Sequence, residues 1–203
     1  MSAAIAIAVA YLLGSIPFGY VAGRLRGIDI RTVGSRNVGA TNVFRTLGKP
    51  TGIAVMALDI LKGVAAAVIA RVISDDPWPL VAAGAAVAGH VYPVWLGFRG
   101  GKGVAVGAGV AIGLVPWVAL ALVPVWVLIV AITRYVSLAS LVAAVAFTPA
   151  VWLLGYSNAT VAFAALVALA VIWRHRTNIV RLLRGEELRL EFRRSGSADS
   201  AGG

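Results

Sequence analysis

Long apolar runs broken by short polar stretches dominate this chain. They fall at roughly 2–22, 52–72, 79–97, 104–118, 118–133, 136–154 and 157–173, against the ~20 apolar residues a helix needs to cross a bilayer. The stretch from Val104 to Thr133 is too long for one crossing unless steeply tilted, and Gly113 and Pro116 offer a turn near its middle. Two short helices joined there make seven spans, whereas one long helix makes six. The pattern predicts an all-α integral membrane protein, a bundle of seven transmembrane helices over residues 1–194, with a disordered tail at 195–203. No internal repeat is visible, and no apolar run has the form of a short cleavable signal.

Composition agrees with a chain that meets lipid. The 203 residues are 60% hydrophobic and 13% charged, whereas soluble domains carry about 25% charged residues. Cysteine is absent, which excludes disulfides, thiol nucleophiles and thiolate metal sites. Two histidines, His90 and His175, are too few for a histidine-built metal cluster. The small residues Gly107, Gly109 and Gly113 suit close approach of helix backbones.

Charge decides between six spans and seven. Sixteen of the 18 Lys and Arg lie in four segments: 23–50, 98–103, Arg134, and the tail from Arg174. With seven spans all four segments share one face, which the positive-inside rule makes cytoplasmic. The N-terminus is then outside and the C-terminus inside, and the opposite loop at 73–78 carries Asp75 and Asp76 but no base. The net charge of +10 is thereby explained by topology, and nucleic acid is not an expected partner.

The four basic segments carry more than charge. The first, GSRNVGATNVFRTLGKPTG (34–52), mixes glycines, hydroxyls and amides with Arg36, Arg45 and Lys49. Crowded backbone N–H groups and neutral side-chain donors suit an anion. Asn42 to Leu47 predicts a short interfacial helix, with Arg45 one turn from Thr41 and Asn42. A solvated loop is the plainer reading of the same residues. The second, GHVYPVWLGFRGGKG (89–103), puts Gly100, Gly101, Lys102 and Gly103 at the start of a helix, where unpaired N–H groups attract phosphate. It lacks the Walker A spacing, so nucleotide hydrolysis is not implied. The third, RYVSLAS (134–140), places Ser137 and Ser140 three residues apart on one helix face. The fourth, RHRTNIVRLLRG (174–185), does the same for His175 and Asn178, and histidine can act as acid or base near neutral pH. Inside the second span, Asp59 and Lys62 stand at spacing three and read as an ion pair facing the bundle; His90 reads as structural.

In this order and between these spans, the segments GSRNVGATNVFR, GHVYPVWLGFRGGKG, RYVSLAS and RHRTNIVRLLRG strongly resemble the bacterial PlsY family over about residues 5–185. These are membrane glycerol-3-phosphate acyltransferases that use acyl phosphate as donor. The resemblance implies transfer of an acyl group from acyl phosphate to the 1-hydroxyl of glycerol 3-phosphate. The products are lysophosphatidate and phosphate, in bacterial phospholipid synthesis at the cytoplasmic membrane. It implies catalytic roles for Ser35, Arg45, Lys102, His175 and Asn178, and substrate binding by Thr41, Asn42, Gly101, Gly103 and Ser140. Ser140 is preferred to Ser137, though the residues around them leave that choice open.

An acyl phosphate is already an activated mixed anhydride, so positioning and stabilisation of negative charge suffice. No metal, cofactor or covalent acyl-enzyme is required, and a monomer embedded in membrane lipid can hold the site. The hydroxyl proton goes either to a substrate phosphate or to His175. A transporter of a phosphorylated solute is the alternative class, but it calls for substrate groups near the bilayer midplane.

Overall fold

A computed structural model describes residues 1–191 as an assembly of helices. The tail expected to be disordered, 195–203, lies outside these residues. The first apolar run forms α1 (Ser2–Ser15) and α2 (Phe18–Arg24). The two part at Pro17, which has no N–H to carry the ladder through. A polar loop leads to the short helix α3 (Ala40–Leu47), which buries Asn42, Val43 and Leu47 along one face. Gly48, at φ 92°, turns the chain at once into α4 (Lys49–Ile73). There follow α5 (Trp78–Val91), a 3-10 turn at Val94–Leu96, and α6 (Val104–Leu114). Helices α7 (Pro116–Thr133), α8 (Val136–Leu153), α9 (Asn158–Arg174) and α10 (Arg176–Leu183) complete the described chain.

Five segments are long and apolar enough to cross a membrane: Ser2–Arg24, Lys49–Ile73, Trp78–Leu96, Pro116–Thr133 and Val136–Leu153. Helices α9 and α10, bent by 58° at His175, make a sixth candidate if counted together. The break expected between Val104 and Thr133 is present at Val115, between Gly113 and Pro116, so α6 ends short of the expected 118. Pro116 opens α7 and cannot donate back to α6, so α6 stops at eleven residues. At 1.5 Å per residue that is about 16 Å, roughly half of a hydrocarbon core.

Large and small side chains are sorted inside out. Leu61, Leu120, Leu128, Ile132, Val145 and Leu166 face outward, while the core is mostly alanine and valine, including Ala66, Ala67, Ala82, Ala83 and Ala86. Lipid is as apolar as leucine, so helices gain by close contact and not by hiding bulk. Helices α4 and α6 meet where a Cβ on Gly63 would strike the Val106 carbonyl, and one on Gly109 the Ile60 carbonyl. Helices α1 and α5 meet likewise at Gly14, against Ala86, and Gly89, against Tyr11. Gly113 packs on the Ala67 side chain, as its small size suggested. Gly107, grouped with it on sequence, has ordinary space beside Val167 and serves no close approach.

These contacts give one bundle whose polar loops gather at one end. There the backbone N–H of Leu190 donates to Arg134 O at 2.8 Å, and Arg45 Nη2 donates to Leu188 O at 2.7 Å. At the opposite end Arg71 donates to Gly113 O and Leu114 O, capping α6.

Gly109→Val is expected to lower stability by about 1–3 kcal/mol through overpacking. Gly107→Val at the roomier position should change it much less. Thermal unfolding of the two variants in one detergent checks the contrast.

Candidate active site

The 97–103 loop is built to turn backbone donors in one direction. After α5 the chain doubles back, with Gly100 N donating to Val91 O and Gly101 N to His90 O, each at 3.0 Å. From the other side Arg174 Nη2 donates to Gly100 O at 3.3 Å and Gly101 O at 3.2 Å. The carbonyl and the N–H of one peptide plane point in opposite directions. Holding the Gly101 carbonyl on Arg174 therefore turns the Lys102 N–H away from it. Gly103, at φ 86°, bends the chain into α6. No acceptor among the described residues takes the N–H groups of Lys102, Gly103 or Val104. Unpaired donors at a helix start attract anions. Neither Gly100 nor Gly101 tolerates a Cβ, since Pro93 and the His90 carbonyl crowd the first and the His90 ring crowds the second.

Lys102 leads into a chain of buried polar groups. Its Nζ donates to Asn178 Oδ1, and Asn178 Nδ2 donates to Glu187 Oε1 at 2.7 Å. The same carboxylate receives Ser137 Oγ at 2.9 Å and Arg181 Nε at 2.8 Å. Burial pushes the Glu187 carboxyl up, but bonds from Arg181, Asn178 and Ser137 outweigh it and hold the group below its ordinary value. Burial also depresses Lys102, to about 8. Glu187 pulls it back up, and Arg181, Arg45 and Arg174 push it further down. Arg181, Arg45 and Arg174 thus lie near Lys102, with Glu187 as the one carboxylate among them, an excess of positive charge suited to anionic ligands.

His175 stands at the break between α9 and α10, 3% exposed, with Nδ1 2.8 Å from Val171 O. A carbonyl only accepts, so Nδ1 carries the proton and neutral Nε2 is left with a lone pair. Burial, then the charge of Lys102, depress this imidazole to about 4, outweighing the Val171 bond and Glu187 that favour its charged form. At neutral pH it is an uncharged acceptor.

The first segment is held together by its own hydrogen bonds. Asn42 spends its amide donors inside the protein. Nδ2 donates to Ile30 O, Val33 O and Asn37 O at 3.1, 3.1 and 2.9 Å, and Oδ1 accepts Ser35 N at 2.8 Å. At 1% exposure Asn42 shapes the 30–37 loop and has no donor left for a ligand. Ser35 is thereby fixed through its backbone, half-buried beside α3. Thr41 is half-buried one position before Asn42. Arg45 reaches across to Leu188 O, while its Nε is buried without a partner.

The two serines have different partners. Ser140 Oγ donates back to Val136 O at 2.8 Å and accepts Trp126 Nε1 at 3.2 Å, an arrangement within α7 and α8. Ser137 is the serine joined to the Lys102–Asn178–Glu187 chain. Two residues went unnoticed in the sequence reading. Glu187 is one of three acids in a basic run, with Glu186 and Glu191, and nothing in the residue order sets it apart from them. Arg174 read as one more topological charge.

The deep charges are satisfied by each other. Lys62 Nζ lies 2.7 Å from Asp59 Oδ1 and donates to Ile16 O at 2.7 Å, a carbonyl at the α1–α2 break. Among the described residues no group of His, Asp and Glu could hold a metal ion.

Fold and site together define an all-helical integral membrane protein with cationic side chains and unpaired loop amides gathered around Lys102 at its basic end. The Glycerol-3-phosphate acyltransferase family profile matches residues 4–185. A glycerol-3-phosphate acyltransferase of Aquifex aeolicus (strain VF5) is 48% identical over 191 residues, spanning 93% of this chain and 100% of the relative. One from Synechococcus sp. (strain CC9902) is 46% identical, covering 94% and 96%. The crystal structure of PlsY (YgiH), an integral membrane glycerol 3-phosphate acyltransferase, in its glycerol 3-phosphate form superposes with a TM-score of 0.91. Identity there is 46%, covering 94% of this chain and 96% of that one. Its lysophosphatidic acid form superposes at 0.88 with 44% identity, over the same shares of the two chains. This chain belongs to the glycerol-3-phosphate acyltransferase family.

With a pKa near 8, Lys102 is charged at pH 7 and loses its charge as pH rises through 8. Affinity for inorganic phosphate should therefore fall by about tenfold between pH 7 and pH 9, following the loss of the protonated form. Lys102→Arg keeps its charge over that range and should flatten the dependence. Calorimetric titrations at several pH values check both.

Proposed function

We propose that the chain transfers an acyl group from acyl phosphate to the 1-hydroxyl of glycerol 3-phosphate, releasing lysophosphatidate and inorganic phosphate. The observation that carries this reading is the convergence of Lys102, Arg45, Arg174 and Arg181 with unpaired loop amides beside neutral His175. Both substrates bear phosphate, and one of them carries an acyl chain. A cationic cluster at the polar end of an apolar bundle suits such a pair.

In this reading Lys102 and the amides following Gly101 hold one phosphate, with Gly103 shaping the turn. Arg45, with Ser35 and Thr41, holds the other. The glycerol 1-hydroxyl oxygen attacks the acyl carbonyl carbon, forming the ester C–O bond. The bond to phosphate breaks, and phosphate leaves with the electron pair. The nearby cations offset the negative charge that gathers on the carbonyl and phosphate oxygens. The hydroxyl proton passes to a substrate phosphate oxygen, whose basicity near pKa 6 exceeds that of an imidazole near 4. His175 then orients the hydroxyl through Nε2, and Asn178 positions Lys102.

The topology proposed is seven crossings, N-terminus outside and C-terminus in the cytoplasm, with α3 lying at the interface and the site facing the cytoplasm. The brevity of α6 fits this arrangement, because a short helix begins below the surface and recesses the loop before it. Residues 1–194 form one domain, and a monomer in the bacterial cytoplasmic membrane contains the site.

Purified protein supplied with acyl phosphate and glycerol 3-phosphate, without metal or acyl-CoA, should release phosphate only when both are present. Solute uptake by liposomes without such release would favour the transporter instead. His175→Gln should lower kcat yet leave the shape of the pH–rate profile unchanged, whereas loss of an ionisation from that profile would make His175 the base.

A further inference from the structure

Beneath the 100–103 loop lies a buried polar group that the proposed reaction does not use. Asp59, Lys62 and His90 are 2%, 5% and 7% exposed, and come from α4 and α5. The imidazole lies between two neighbours. Its Nδ1 is 3.7 Å from Asp59 Oδ1, and its Nε2 sits directly where a side chain on Gly101 would begin. Its own carbonyl accepts the Gly101 N–H at 3.0 Å. One residue thus supports Gly101 through both backbone and ring, opposite the Arg174 side chain that takes the carbonyl. The ring is set from below. Lys62 anchors Asp59 while bonding Ile16 O, and Ser15, Asp59 and His90 are among the residues that border one small cavity of about 10 Å³. That volume is room for a single water.

A charged pair this deep in an apolar bundle is costly, and a purely structural role for it is to tie α4 to the break between α1 and α2. That role gives no reason for a third polar group, presented edge-on to a glycine of the phosphate loop. We propose that His90 is a positioning residue. Packed beside Asp59, its ring fixes the place of Gly101 and so aims the following amide and Lys102 at the phosphate of one substrate. The inference rests on the reading of this loop as the phosphate cradle.

Two substitutions separate the ends of the ring. The amide of Gln reaches the position of Nε2, and that of Asn reaches only the position of Nδ1. His90→Asn should raise KM for one phosphate substrate by about tenfold, the scale of a slight misplacement. The other KM and kcat should hold within about threefold, and the melting temperature should match wild type. His90→Gln should restore most of the loss. Equal damage to both KM values and kcat together with lower melting temperature would overturn the inference, as would no change.

A measurement on the unsubstituted protein guards against variants that fail to fold. The chain has two histidines, so their ¹⁵N ring signals are assigned by the one missing from His90→Gln, or otherwise by the one missing from His175→Gln. Saturation with glycerol 3-phosphate and then with acyl phosphate should move the His90 signals for one of them. If both bind and neither moves His90, this inference falls while the cradle stands. If neither binds, the cradle itself falls and takes the inference with it.

Discussion

The hydrogen bonds from Arg174 to the carbonyls of Gly100 and Gly101 set the direction of everything at the basic end of this bundle. A glycine-rich loop left to itself samples many orientations, and glycine loses more freedom on ordering than any other residue. Here two planes are clamped, by Arg174 on the carbonyl side and by His90 O on the amide side. The consequence is geometric. The amides of Lys102 and the start of α6 face away from Arg174 with no internal acceptor, and Lys102 leaves the loop toward Asn178. Donors fixed before ligand arrives need no reorganisation when charge develops.

The constraint beneath that clamp is the membrane environment itself. Where lipid offers no water, backbone groups must be satisfied within the protein. The break at Pro17 leaves the Ile16 carbonyl to Lys62, and Lys62 brings Asp59. The α6 terminus leaves carbonyls to Arg71. Helices packed through Gly63 and Gly109 hold α6 so close to α4 that its start cannot drift. The same small-residue contacts that build the bundle therefore fix the depth of the loop that precedes α6.

Much of this was legible from residue order. Apolar runs gave the helices, and Pro116 with Gly113 gave the division of the 104–133 stretch, because proline acts locally and unconditionally on the hydrogen-bond ladder. The length of α6 was overestimated because apolar content does not mark where that ladder stops. The gathering of Lys102, His175 and Asn178 was readable because each sits at a helix end, where the chain has no choice of face. Ser137 and Ser140 were not separable, since residues three apart share a face, and only the fold shows that Ser137 bonds Glu187 while Ser140 bonds Val136 O. Asn42 was ambiguous for a general reason. An amide in a polar loop looks the same whether it awaits a ligand or, as here, closes four bonds to its own backbone.

The central claim is that a clamped loop and Lys102 form a ready anion site at the basic end. Titrating glycerol 3-phosphate calorimetrically into wild type and Lys102→Met at pH 7 tests it most directly. The account predicts binding to wild type and at least about tenfold weaker binding to the variant, as loss of a charge-assisted contact to phosphate requires. Equal affinity for the two proteins, with both folded, would contradict it.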